Sequence, residues 1–362
     1  MDLSGIPVID GHCHFFAVKD VPADLFRTLT PSLNPVAAQD IRNTLAYGAM
    51  IGQLRSFLGV RGPEEEVLAE RERRIKDDYR QYVTDLLEDA LIESLVVDVG
   101  YKPAGVDGPA FEELVPVPVR YVYRIETEVD RLCQEGLPFP EAEERFFQAL
   151  EEALSWPKLA ALKSIIAYRT GLKIQKVNRA SLVKGAAGEK EIRDYFFLKA
   201  VEKSIEMALP MQIHTGFGSS TIDLSLANPA LLKGFLDDPA FRDARLVLLH
   251  GGYPYSFEAG YLANVYSHVY LDLSEINLFI PSGFSGALRS VFEMCPFNKA
   301  MYGSDGFIVP ESCWLGARTG RKGLADLLGE FITNGLLDQD RAVEIAGWIL
   351  SGTARKFYRL DG

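Results

Sequence analysis

Residues 7–16 read PVIDGHCHFF: a short apolar run that ends in two histidines one residue apart, His12 and His14. The chain of 362 residues holds only five histidines, so two at one strand-like end stand out. Seven later runs have the same character: ESLVVDVG (93–100), VPVRYVYRI (117–125), LAALKSIIAYR (159–169), PMQIHTG (210–216), ARLVLLHGG (244–252), HVYLDLS (268–274) and KAMYGSDG (299–306). Most are continuously apolar rather than alternating, which fits parallel strands buried on both faces.

Helical patterns separate the later runs. They cover residues 141–154, 188–209, 228–243, 255–268 and 282–295. Eight strands with helices between them predict an α/β chain folded as a (β/α)8 TIM barrel. A doubly wound open sheet is the competing arrangement, but no GxGxxG follows an early strand.

One connection is too long for a crossover helix. Residues 17–92 read as helical pieces broken at Pro31 and Pro35, then a long helix entered through Pro63 and three glutamates. The expectation is one barrel domain over 1–362, with 17–92 as a helical insertion after strand one. Such an insertion leaves the C-terminal face of the barrel. It can serve as a cap over the mouth or as a packing or oligomerisation element.

Composition narrows the partners. A net charge of −12 argues against nucleic acid or an anionic membrane. The four cysteines form no CxxC pair and no disulfide framework. No signal peptide or spanning stretch is read, so a cytoplasmic protein acting on a small molecule is expected. Homo-oligomerisation stays open.

The rare polar residues fall at strand ends. His12 and His14 end the first run, His214 the fifth, His250 the sixth and Asp305 the eighth. All belong at the C-terminal face, where barrels of this kind carry their active sites. His268 precedes strand seven and belongs at the other end. Residues i and i+2 of a strand share a face, so His12 and His14 point inward together and Cys13 outward. His12, His14, His214 and Asp305 can then hold a divalent ion, Zn²⁺ or else Mn²⁺ or Fe²⁺.

This pattern resembles the amidohydrolase superfamily of metal-dependent barrels. SGTARKFYRL (351–360) is similar to the closing helix of its amidohydrolase-2 branch. LKSIIAYRTGL (162–172) resembles the amidohydrolase domain of nodulin/FluG-type glutamine-synthetase-linked proteins. The resemblance implies His12, His14, His214 and Asp305 as ligands to one or two ions. It makes His250 either a ligand to a second ion or a contact to substrate and water. Lys163, if carboxylated, would bridge two ions; otherwise it needs a carboxylate partner.

The implied chemistry is metal-assisted hydrolysis of a small carboxylate-bearing amide or ester. Asp305 would move the proton and His250 would bind the oxyanion. Arg169 and its neighbour Tyr168, with Arg124 and Glu126 at the end of strand three, are the candidate substrate contacts. Asp10, Asp98 and Asp272 are candidates to orient the imidazoles. A metal-dependent decarboxylase, a uronate-isomerase-like enzyme and a non-catalytic scaffold are the alternatives.

Overall fold

The computed structural model describes residues 1–19, 21, 25–185 and 187–360. Residues 20 and 22–24 of the expected insertion, and 361–362 of the expected domain, lie outside the described residues.

Eight parallel strands follow one another around a barrel in chain order: β1 (Val8–His14), β2 (Ile92–Asp98), β3 (Val119–Arg124), β4 (Leu159–Ser164), β5 (Pro210–Ile213), β6 (Arg245–Leu248), β7 (Val269–Asp272) and β8 (Ala300–Met301). Each pairs in parallel with the next through β8. Isolated hydrogen bonds close the seam between β8 and β1. Gly11 N–H donates to Tyr302 O at 3.0 Å, Asp305 N–H to His12 O at 2.8 Å, and His14 N–H to Gly306 O at 2.8 Å.

Two apolar layers hold the strands. Inside the barrel, Ile9, Val96, Val122, Ala161, Val247 and Met301 cluster with Phe357 and Tyr358 of the closing helix Thr353–Tyr358. That helix plugs the bottom. Outside, Leu95, Val97, Leu162, Met211, Ile213, Leu246 and Leu248 pack in the larger core shared with the helices. Residues such as Leu95, Val96 and Val97 thus bury both faces of a strand, which is why the runs read as continuously apolar.

The helices include Glu126–Glu135 and Phe139–Leu154 before β4, Glu189–Glu206 before β5, Ser256–Val265 before β7 and Phe284–Phe292 before β8. Residues 228–243 depart from the helix expected there. They form short 3-10 turns and one four-residue helix, Lys233–Leu236. Pro229 and Pro239 interrupt the run, and the side chains of Asn228 and Asp238 each cap a new turn.

The segment between β1 and β2 has two parts. Residues 30–36 border the mouth. This strap is pinned at Ser220, whose N–H donates to Pro31 O (3.2 Å) and whose Oγ accepts from Leu33 N–H (3.1 Å). The long helix Glu64–Asp89 runs along the outside, against β2 and the helix Pro310–Thr333. There Arg71 and Glu311 form a fully buried ion pair, and Tyr82 Oη donates to Glu311 at 2.9 Å.

Removing one member of a buried pair strands the other charge. Arg71→Leu is therefore expected to lower stability by about 3–5 kcal/mol, read from the urea midpoint. Arg71→Leu with Glu311→Leu should recover part of that loss. A single variant as stable as wild type would show that the pair does not anchor the insertion.

Candidate metal centre

The backbone of β1 decides which side chains reach the centre. Asp10 pairs with Leu95 and Cys13 with Val97, so three steps on β1 span two on β2. That extra residue is a bulge, and it changes the parity of the strand. Ile9 lies in the interior cluster, so strict alternation from it would have turned Cys13 inward. With the bulge, His12 and His14 face the centre. Cys13 packs in the outer core, with its Sγ 3.7 Å from Val96 O. Gly11 lets β1 approach β8, because a Cβ there would stand 2.8 Å from Tyr302 O.

Six strands and their following loops bring the polar groups together. His12 Nε2 and His14 Nε2 each lie 3.2 Å from the same atom, Asp305 Oδ1. His250 Nε2 is 2.9 Å from His214 Nδ1. His214 Nε2 is buried and has no hydrogen-bond partner among the described residues. Lys163 Nζ is 2.8 Å from His12 Nε2 and 3.4 Å from Asp98 Oδ2. His14, Lys163, His214, His250 and Asp305 line a cavity of about 630 Å³ at the C-terminal end of the barrel.

Four of the lining residues have left-handed backbones: His250 (φ 62°), Glu275 (φ 65°), Asp305 (φ 57°) and Ile308 (φ 62°). Such conformations are sparsely populated by residues other than glycine and cost of order 1–3 kcal/mol each. Surrounding bonds hold them. Asp10 accepts from Ser304 N–H (2.8 Å) and Ser304 Oγ (2.6 Å), and Ser304 Oγ accepts from Gly306 N–H (2.8 Å). Asp10 thus braces the loop that presents Asp305 rather than touching an imidazole. Asp272 works through Ser274, which it binds and which meets His250 Nδ1 at 2.9 Å. Only Asp98 approaches an imidazole directly: its backbone oxygen is 3.3 Å from His14 Nδ1.

Burial sets the protonation states. It pushes His12 down to about 4, with Lys163 adding to the effect. It drives His214 and His250 well below the usual histidine value. Burial opposes ionisation of Asp305, yet His250, His12 and His14 hold its carboxyl well below the usual carboxylate range. Burial lowers Lys163, while Asp98 pulls it back up. Neutral imidazoles and an ionised carboxylate are the forms that ligate cations. Two imidazole nitrogens facing one carboxylate oxygen, with ligand atoms of His12, His250 and Asp305 all within 4.8 Å of one another, fit a divalent ion.

The other expected residues fall out unequally. Tyr168 lines the cavity, its ring centroid 4.5 Å from that of His214, and its Oη accepts from Ser219 N–H at 3.0 Å. Arg124 lines it too, with Nε and Nη2 on Asp98 Oδ2 at 3.0 and 2.6 Å. Arg169 also lines the mouth, and it is held in the same way, with Nε and Nη2 on Asp130 at 2.6–3.1 Å. Glu126 is corrected as a substrate contact: it starts the helix after β3 and turns behind the wall, accepting from Ser164 Oγ at 2.5 Å. Ser274 and Glu275 went unread. Their signal was a cluster of polar residues, DLSE, just past strand seven.

A family model described as amidohydrolase matches residues 9–360. The chain belongs to the amidohydrolase family. It is 26% identical over 406 aligned residues to the protein fluG of Emericella nidulans, across 98% of this chain and 46% of that protein. The chain therefore spans about half the length of this curated relative.

Among solved structures, a Lactobacillus casei protein provisionally named a metal-dependent hydrolase is 28% identical. It superposes with a TM-score of 0.86 over 99% of this chain and 96% of that one. A Thermotoga maritima uronate isomerase shares the barrel at 14% identity, with a TM-score of 0.64 over 98% and 95% of the two chains. Membership in this family supports an enzyme. No helix among the described residues is long and apolar enough to cross a membrane.

The contact of Tyr168 with His214 can be probed from behind. A Cβ on Gly218 would fall 1.9 Å from Tyr168 Oη and 3.0 Å from His214 Cε1. Gly218→Ala is expected to weaken divalent-metal affinity about 10-fold or more, as displaced supporting groups do. Chelator competition measures it. Unchanged affinity would show that Tyr168 exerts no hold on His214.

Proposed function

We propose that this protein is a metal-dependent hydrolase that cleaves an amide or ester bond of a small carboxylate-bearing substrate. The observation that carries the reading is the approach of His12 Nε2 and His14 Nε2 to one oxygen of Asp305, in a cavity that His214 also lines. In this reading His12, His14, His214 and Asp305 hold the ion. Zinc is the first choice and manganese or iron(II) the next. Bound there, the ion would supply Lewis acidity, polarising the scissile carbonyl and easing deprotonation of water.

The chain's own groups do the rest. Asp305 carries a second carboxylate oxygen, which accepts the proton of the attacking water and returns it to the leaving group. His250 faces the attacking water: Ser274 donates to Asp272 and accepts from Nδ1–H, which fixes the neutral ring and leaves the Nε2 lone pair to accept from that water. Arg124, held from behind by Asp98, keeps Nη1 for the substrate carboxylate. A single ion is favoured, because Asp98 already supplies the counter-charge that lets an unmodified Lys163 stay buried. Two ions, with His250 and a carboxylated Lys163 as further ligands, are the second arrangement.

Metal analysis and isotope transfer test this. Purified protein should carry about one equivalent of divalent metal per chain, counted by mass spectrometry and by anomalous diffraction. His12→Asn with His14→Asn should retain less than about a tenth of it, since two of the few ligands that bind such an ion are gone. Turnover of a panel of amides and esters in H₂¹⁸O should place the label in the acid product. Folded wild-type protein without stoichiometric metal would sink the reading. Release of CO₂ without label would move it to the decarboxylases, and two ions with a carbamate on Lys163 would replace the one-ion arrangement.

A further inference from the structure

The hydrolytic scheme leaves one carboxyl of the cavity without a task. Glu275 lies three residues past β7, and its left-handed backbone is held in place. Its N–H donates to Ser304 O at 3.2 Å, and its carbonyl accepts from Leu278 and Phe279 N–H at 3.1 and 3.0 Å. Its side chain lines the cavity while the residue is only 4% exposed. Oε2 has no hydrogen-bond partner among the described residues. The nearest basic atom, His250 Nδ1, is 3.6 Å away and already meets Ser274 Oγ. A buried carboxyl oxygen without a partner is costly, and a ligand in the cavity that Glu275 lines can supply one.

The opposite wall supplies the contrast. Arg124 ends β3 and Lys163 lies on β4, whereas Glu275 follows β7, four strands further round than Arg124. Both cations flank Asp98, and Arg124 retains Nη1 for a ligand. The cavity is therefore polarised across the ligand cluster, with guanidinium and ammonium on one side and an unpaired carboxyl on the other. A ligand with a single carboxylate satisfies the first side alone.

We propose that Glu275 is a substrate-contacting residue that receives a protonated amine, so that the substrate is an amino acid derivative lying across the mouth. Its carboxylate faces Arg124 and its ammonium faces Glu275. This rests on the hydrolase reading for the carboxylate end only. The amine subsite is tested by binding, without turnover.

The experiment titrates the metal-loaded protein calorimetrically with matched pairs. These are the ω-amino acids of three to six carbons against the alkanoates of the same length, and the α-amino acids alanine, norvaline and norleucine against theirs. At least one amine-bearing member should bind about tenfold tighter than its partner, as a charge-assisted pair in a buried site allows. Glu275→Gln should cut that advantage below about twofold, while metal content and affinity for the amine-free acid stay as in wild type. Glu275→Asp should keep part of the advantage. The proposal is overturned if no pair shows an amine advantage in wild type, which needs no variant to read. It is also overturned if the advantage survives Glu275→Gln, or if that variant loses metal or binds both members equally more weakly. Absence of ¹⁸O transfer would remove the hydrolase reading and leave this result standing.

Discussion

The hydrogen bond from Asp305 N–H to His12 O, 2.8 Å long, joins the end of the barrel to its beginning. It has the Gly11–Tyr302 and His14–Gly306 bonds beside it, and β8 itself contributes only two residues of regular strand. The seam is thus short of ladder bonds and relies on backbone groups next to the polar centre. The same contact sets the Asp305 carboxylate against His12 and His14. Closing the barrel and assembling the centre are one event, which is why Asp10 and Ser304, seated at this seam, are fully buried and fully engaged.

The charges of the centre are arranged to survive burial. Asp98 is set between Arg124 and Lys163 and Asp305 among the imidazoles, whereas burial raises Asp272, which rests on Ser274, to about 7. In a low-dielectric cavity these pairings are far stronger than at the surface, and an unpaired member is correspondingly costly. This local order is independent of the chain's net charge of −12. An acidic protein can therefore present an anion-accepting wall, formed by Arg124 and Lys163, inside an otherwise acidic molecule.

Much of this was legible in the sequence because it rests on period and position. Continuous apolar runs marked the eight strands, and polar residues at their C-terminal ends marked His12, His14, His214, His250 and Asp305. What the sequence does not show has local causes. The inward aim of His12 and His14 follows from a bulge whose presence no residue type announces, and Ile9 alone would have argued the opposite parity. Arg169 and Arg124 read as free cations, and the partners that hold each, Asp130 and Asp98, are brought by distant elements. Glu126 sits one residue too late, where the chain has already turned into a helix. Glu275 was hidden because a carboxylate past a strand is ordinary in sequence, and its isolation appears only once its neighbours are packed around it.

The two ends of the insertion are held with unequal strength. The long helix is fixed through the buried Arg71–Glu311 pair to the helix that begins at Pro310. The loop just before that helix carries Asp305 and Ile308, and Ile308 bridges back to Phe16. On this side any displacement of the insertion would pull on the seam that assembles the centre. Across the mouth, the 30–36 strap rests on two hydrogen bonds to Ser220, a residue exposed to water, and it turns Leu33 and Val36 outward. Bonds of that kind exchange readily with water, whereas a desolvated ion pair does not. The seam side of the cavity is thus the more tightly tied, and the contact between Asp305 and the two histidines of β1 lies on that side.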